Sequence, residues 1–157
     1  MQQATPIEVE LEVPTENLGR WQNQENDEPA APPKDHFIVR DGVEFAGSHL
    51  LLDLYGAKHL DDIERIEQAM RDCVVECGAT LLHIHLHHFS PSGGVSGVAV
   101  LSESHISVHT WPERDYAAFD VFMCGDAQPE NSVAVLKRAF TPHRLEVSEE
   151  LRGRSDK

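Results

Sequence analysis

No stretch of the sequence approaches the roughly 18 consecutive apolar residues that a membrane span requires. The opening residues, MQQATPIEVELEVPTE, lack the basic and apolar regions of a secretory signal, so a cytoplasmic protein with no membrane partner is expected. Positive charge is scarce: 13 Lys and Arg stand against 27 Asp and Glu, a formal net charge of −14. A binder of nucleic-acid backbone needs a basic patch, so that class drops out. Cysteine is scarce too, with three residues and no C-x-x-C pair. Neither a disulfide framework nor a zinc knuckle is expected, and reduced thiols are the default. At 157 residues the chain can bury one real core but is short for two domains.

Composition divides the chain near residue 46. Residues 1–46 hold Pro6, Pro14, Pro29, Pro32 and Pro33, and carry ten acidic and three basic residues. Between Glu16 and Lys34 the large apolar residues are only Leu18 and Trp21. Such a segment cannot offset its ordering entropy by burial, and it reads as a flexible acidic extension. Within it, Ile7 to Val13 alternates apolar and acidic residues, a pattern compatible with an edge strand but read in preference as a solvated arm.

From residue 47 to 157 the patterning is that of a folded domain. Ser48 to Tyr55 is a nearly continuous apolar run closed by Gly56, and reads as a buried strand. Asp61 to Gly78 reads as a helix with Asp61 as N-cap, Gly78 as stop, and Ile63, Ile66, Met70, Cys73, Val74 and Cys77 on one stripe. Thr80 to Phe89 and Val95 to Leu101, joined by Ser90-Pro91-Ser92-Gly93-Gly94, form an antiparallel hairpin in this reading. Further strands are predicted at His105 to His109, Tyr116 to Met123 and Arg144 to Val147, with a helix over Asn131 to Phe140. Locally paired strands with helices on one face predict an α+β fold, a two-layer sandwich with a mainly antiparallel sheet.

Three groups of residues carry possible chemistry. His83, His85 and His87 share one face of a strand, but neighbours there lie about 6.6 to 7 Å apart. They cannot converge on one ion at ~2 Å bonds unaided, so a solvated or subunit-interface face is favoured over a metal site. Cys73 and Cys77, four apart on an apolar helical stripe, read as core. Cys124, at a strand end before Gly125, is placed to reach a cleft as proton donor or nucleophile. The densest cluster is Ser102-Glu103-Ser104-His105-Ile106-Ser107-Val108-His109-Thr110-Trp111-Pro112-Glu113. A serine near a histidine suggests a hydrolase, yet the G-x-S-x-G elbow and an orienting third residue are missing. On spacing alone, the polar face of a half-buried strand remains the favoured reading.

The segment LSESHISVHTWPE, followed by YAAFDVFMCGD and preceded by HHFSPSGGVSGVAV, closely resembles the bacterial and archaeal short form of S-adenosylmethionine decarboxylase. The resemblance spans roughly residues 46 to 152, as these motifs place it. It implies a pyruvoyl-dependent lyase of spermidine and polyamine synthesis, made as a zymogen that cuts itself between Glu103 and Ser104. Ser104 would become the pyruvoyl group and form the Schiff base with S-adenosyl-L-methionine, with no pyridoxal phosphate and no metal. His109 is implied as proton acceptor in processing, Ser96 as its helper, and Cys124 as proton donor in catalysis. Phe89 matches the aromatic that stacks on adenine and Glu113 the carboxylate on the ribose hydroxyls; a sulfonium also favours aromatic surroundings, and Trp111 lies nearby in sequence. A homodimer with facing sheets, completing its sites across the interface, is implied as well. The loop Ser92-Gly93-Gly94 carries one residue more than the family pattern. Three alternatives stand: the same chemistry on ornithine or arginine, a non-cleaving homologue acting as a binding or regulatory partner, and a metal-binding protein built on His83 to His88.

Overall fold

The structure, a computed structural model, describes residues 36–155. The alternating stretch Ile7 to Val13 and most of the segment read as a flexible extension lie outside the described residues.

Period-two alternation builds the sheet. In β3 (Gly47–Tyr55) Leu50, Leu52 and Leu54 are buried while His49, Leu51, Asp53 and Tyr55 face the other way. The same alternation buries Ile106 and Val108 of β6 (Ser104–Trp111) and Ala117, Phe119, Val121 and Met123 of β7 (Tyr116–Met123). With β4 (Leu81–His88), β5 (Val95–Leu101) and β8 (Arg144–Arg152), these form a six-stranded sheet in the order β4-β5-β6-β7-β3-β8. Every pairing in it is antiparallel.

The inward faces pack under two helices, α1 (Ile63–Glu76) and α2 (Asn131–Phe140). Helix α1 contributes Ile66, Ala69, Met70, Cys73 and Val74 to the core, and α2 contributes Val135, Leu136 and Phe140. Each large side chain so buried stabilises the fold by about 1.5–3 kcal/mol. The opposite face carries no helix among the described residues, and leaves Leu51, Val100 and Trp111 exposed beside a row of histidines. The α+β, two-layer, antiparallel expectation matches this architecture. Among the described residues no helix is long and apolar enough to cross a membrane.

Several boundaries differ from the sequence reading, among them the start of β3 at Gly47 and the ends of β4 at Leu81 and His88. The N-cap of α1 is Asp62, not Asp61: Asp62 has extended backbone, and its carboxylate accepts from the Arg65 amide at 3.0 Å, leaving Asp61 one residue outside. At the other end Gly78, with φ +72°, closes the helix as expected, its amide bonding Val75 O and that of Ala79 bonding Val74 O. Strand β8 extends five residues past Val147 because it pairs with β3 along its whole length, and β6 runs from Ser104 to Trp111. Finally, β1 (Ile38–Arg40) and β2 (Val43–Phe45) form a two-stranded ribbon inside the stretch assigned to the extension. Its turn, Asp41-Gly42, has both φ positive at 51° and 79°, the requirement of a tight two-residue hairpin. Phe45 is fully buried, and the Arg40 guanidinium bonds Glu149, which also accepts from Ser48.

Candidate active site

The β5–β6 pairing sets Leu101 opposite Ser104, so Ser102 and Glu103 alone make the turn between them. Glu103 has φ +61°, a left-handed conformation that costs a residue with a Cβ about 1–2 kcal/mol. Ser104 follows as the first residue of β6, pointing inward and 8 % exposed. Because β7 runs antiparallel to β6, its end delivers Cys124 to the start of β6. The Cys124 amide donates to Ser104 Oγ at 3.2 Å, and its thiol donates to the Glu103 carbonyl at 3.1 Å. Burial, followed by the Glu103 charge, pushes the Cys124 thiol pKa up against a smaller lowering from Ser104. The group therefore stays protonated at neutral pH. These residues line a cleft of about 330 Å3 with Thr80, Gly125 and His36.

His36 is a site residue that sequence reasoning missed. It precedes the ribbon, its carbonyl accepts from the Gly125 amide at 3.1 Å, and its Nδ1 lies 2.9 Å from Glu103 Oε2. The available signal was Asp41-Gly42 between the short apolar runs Phe37-Ile38-Val39 and Val43-Glu44-Phe45, which marks a hairpin within a segment dismissed on composition.

A second constellation lies elsewhere on the sheet. Ser96 and His109 are cross-strand partners of β5 and β6, with Ser96 Oγ 2.8 Å from His109 Nδ1. The His109 ring stacks on Trp111, which stacks in turn on Tyr116. Thr110 pins this end of β6 by accepting from the Val95 amide and donating to the Leu60 carbonyl. A 3-10 turn, Pro112–Arg114, then carries Glu113. Ser96, His109, Trp111 and Glu113 share a cleft of about 350 Å3 with Phe89. The longer Ser92-Gly93-Gly94 loop therefore leaves Phe89 beside Glu113, held by mutual bonds of Phe89 with Gly93 and Gly94.

The two constellations do not meet within one chain. Ser104 and His109 both stand on β6, five residues apart, which is about 16 Å of strand. The odd offset also turns their side chains to opposite faces. Ser104, Glu103 and Cys124 form one half; Ser96, His109, Phe89, Trp111 and Glu113 form the other.

The remaining histidines and cysteines fall where their patterns put them. His83, His85 and His87 are exposed on the open face, with His87 packed edge-on to Phe89 at 4.5 Å. Cys73 and Cys77 are buried under α2, where desolvation pushes the Cys77 thiol up to about 11 and that of Cys73 further still. Both are core thiols.

Known proteins resemble this chain in sequence and in fold. The profile of the S-adenosylmethionine decarboxylase family matches residues 48–153. The S-adenosylmethionine decarboxylase proenzyme of Thermomicrobium roseum is 45% identical over 108 residues, spanning 68% of this chain and 93% of that protein. A Methanococcus maripaludis proenzyme of the same name is 48% identical over 110 residues, spanning 68% and 89%. The crystal structure of the adenosylmethionine decarboxylase from Aquifex aeolicus superposes with a TM-score of 0.63 at 32% identity, covering 69% of this chain and 92% of that one. The chain belongs to the S-adenosylmethionine decarboxylase family.

Proposed function

We propose that the chain is the proenzyme of a pyruvoyl-dependent decarboxylase that acts on S-adenosyl-L-methionine and cuts itself between Glu103 and Ser104. The observation that carries the reading is the triangle of Ser104, Cys124 and the strained Glu103, whose carbonyl accepts the Cys124 thiol proton at 3.1 Å. Ser104 Oγ bonds to the Glu103 carbonyl carbon, its proton passes to the Ser104 nitrogen, and the C–N bond breaks to leave an ester. The thiol offers a hydrogen bond to the oxygen on which charge develops in that step. A base then takes the Ser104 α-proton, the Cβ–O bond breaks, and Glu103 departs with its carboxylate. The dehydroalanine left at position 104 takes a proton at Cβ to become an imine, and water hydrolyses that imine to release ammonia and leave a pyruvoyl group at position 104, with chains 1–103 and 104–157.

His109 is the base in this reading. In the tautomer whose Nδ1–H donates to Ser96 Oγ, 2.8 Å away, Nε2 is left to accept the proton. Since His109 lies about 16 Å from Ser104 of its own chain, the base comes from a second copy. The bare sheet face, with exposed Leu51, Val100 and Trp111, supports a homodimer whose sheets face each other. Each complete site then combines the Ser104 half of one protomer with the His109 half of the other.

The residues present suit the group they are to generate, for its formation needs a buried hydroxyl beside a strained peptide, and the thiol adds a hydrogen bond to the scissile carbonyl. A pyruvoyl carbonyl supplies the electron sink for Cα that no side chain offers. In turnover Cys124, held as a thiol, returns a proton to Cα after CO2 leaves. Phe89 stacks on adenine, Glu113 takes the ribose hydroxyls, and Trp111 faces the sulfonium cation. The product is the aminopropyl donor for polyamine synthesis. These adenosyl contacts favour S-adenosylmethionine over ornithine or arginine, which offer nothing to Phe89 or Glu113.

The test is release of CO2 from carboxyl-labelled S-adenosylmethionine, ornithine and arginine in parallel. Release from S-adenosylmethionine alone, abolished by borohydride and by Ser104→Ala, is expected. Release from another amino acid, or release that survives borohydride, overturns the reading.

A further inference from the structure

We infer that His36, outside the family-matched residues 48–153, is a positioning residue for self-cleavage: it clasps the scissile residue Glu103 and holds the turn in its reactive conformation. The inference rests on the self-cleavage proposed above and adds to it a residue that the family match does not reach. Glu103 has a left-handed backbone that a side-chain-bearing residue leaves readily unless something holds it. In that conformation its carbonyl accepts from the Cys124 thiol at 3.1 Å.

His36 bridges both sides of that contact. Its ring Nδ1 donates to Glu103 Oε2 at 2.9 Å, and its backbone carbonyl accepts from Gly125, the residue after Cys124, at 3.1 Å. The ring and the carbonyl thus tie the β5–β6 turn to the end of β7, the two pieces that must stay in register for the thiol to reach the scissile carbonyl. His36 itself is anchored through the ribbon that follows it, by the buried Phe45 and by Arg40 on Glu149. Both partners are partly exposed, at 39% and 51%, so the clasp is a modest bias on the turn population. Its loss corresponds to a slowing of about three- to fivefold in cleavage.

The full chain is made by cell-free synthesis, and disappearance of the 157-residue species is followed by intact mass after synthesis is stopped. His36→Ala is expected to cleave about three- to fivefold more slowly than the wild type. His36→Asn, whose Nδ2 replaces the ring Nδ1 as donor, is expected to return most of the wild-type rate. Melting of both variants is compared in the uncleavable Ser104→Ala background, where similar transitions are expected. Wild-type cleavage in His36→Ala overturns the inference, as does a His36→Asn chain as slow as His36→Ala. A slow His36→Ala chain with a lost melting transition overturns it as well, since folding is then the agent. A wild-type chain that never cleaves refutes the self-cleavage reading itself, an outcome distinct from the other three.

Discussion

Co-expression of a Ser104→Ala chain with a His109→Ala chain puts the division of the site between two copies to a quantitative test. The proton on Ser104 Cα must come within about 3 Å of the accepting nitrogen, whereas the strand sets the two residues about 16 Å apart and on opposite faces. No side-chain rotation closes that gap, so neither variant cuts itself alone. In a mixed dimer the His109→Ala chain keeps Ser104 and Cys124 and faces the intact Ser96 and His109 of its partner. Random pairing of equal amounts makes about half of all dimers mixed. About half of the His109→Ala chains, and none of the Ser104→Ala chains, should therefore be cut. Differently tagged chains, purified together and weighed intact under denaturing conditions, report both fractions at once. A mixture with no cleaved chain, or a His109→Ala homodimer cleaving at the wild-type rate, refutes the division. Loss of a general base ordinarily costs about 10²–10⁴ in rate, so the second result would be unmistakable.

Three further outcomes are expected. Cys124→Ala should still process, more slowly for want of the thiol's hydrogen bond to the Glu103 carbonyl, while decarboxylation falls by on the order of 10²–10³, and burial plus the Glu103 charge, by raising the thiol pKa, keep the wild-type donor protonated to higher pH. Turnover should then decline only on the alkaline side of the usual thiol value of about 8.5; full activity in the variant, or a decline setting in at neutral pH, would count against the assignment. Phe89→Ala should raise KM for S-adenosylmethionine by roughly tenfold, as loss of one base-stacking platform does, and Glu113→Gln should act in the same direction, with kcat less affected in each; steady-state kinetics that leave KM unmoved would detach this cleft from the substrate. Asp62→Ala should lower stability in urea by about 1 kcal/mol through loss of the α1 cap, whereas Asp61→Ala should be nearly neutral; the reverse order would return the cap to Asp61.

Legibility of the sequence followed the strength of its local patterns. Tyr116–Met123 and Asn131–Phe140 were read to the residue, because strict alternation in one and helical spacing in the other leave a single face to bury. The sequence pattern ends β8 at Val147, since Ser148 to Arg152 is acidic and mostly exposed, with Leu151 alone half-buried where it pairs with β3. The helix cap was displaced by one residue because two adjacent aspartates are equivalent as letters, and only the reach of one carboxylate to the Arg65 amide separates them. At the site, resemblance named Ser104, His109 and Cys124 as one chemical set. The rise and alternation of a single strand then divide that set into two halves, a consequence available as soon as residues 104 and 109 share one strand. His36 escaped because its ribbon sits in a Pro-rich acidic stretch, where composition outweighed the Asp41-Gly42 turn signal.

In the proposed function the peptide bond after the strained Glu103 is the one the protein breaks to make its own reactive group. The intact mass of the purified protein under denaturing conditions tests this most directly. Two chains are expected, residues 1–103 ending in an ordinary carboxylate and residues 104–157 beginning with a pyruvoyl group. A single 157-residue chain that persists on prolonged incubation, or fragments cut at Ser102 or elsewhere in the turn, would contradict it.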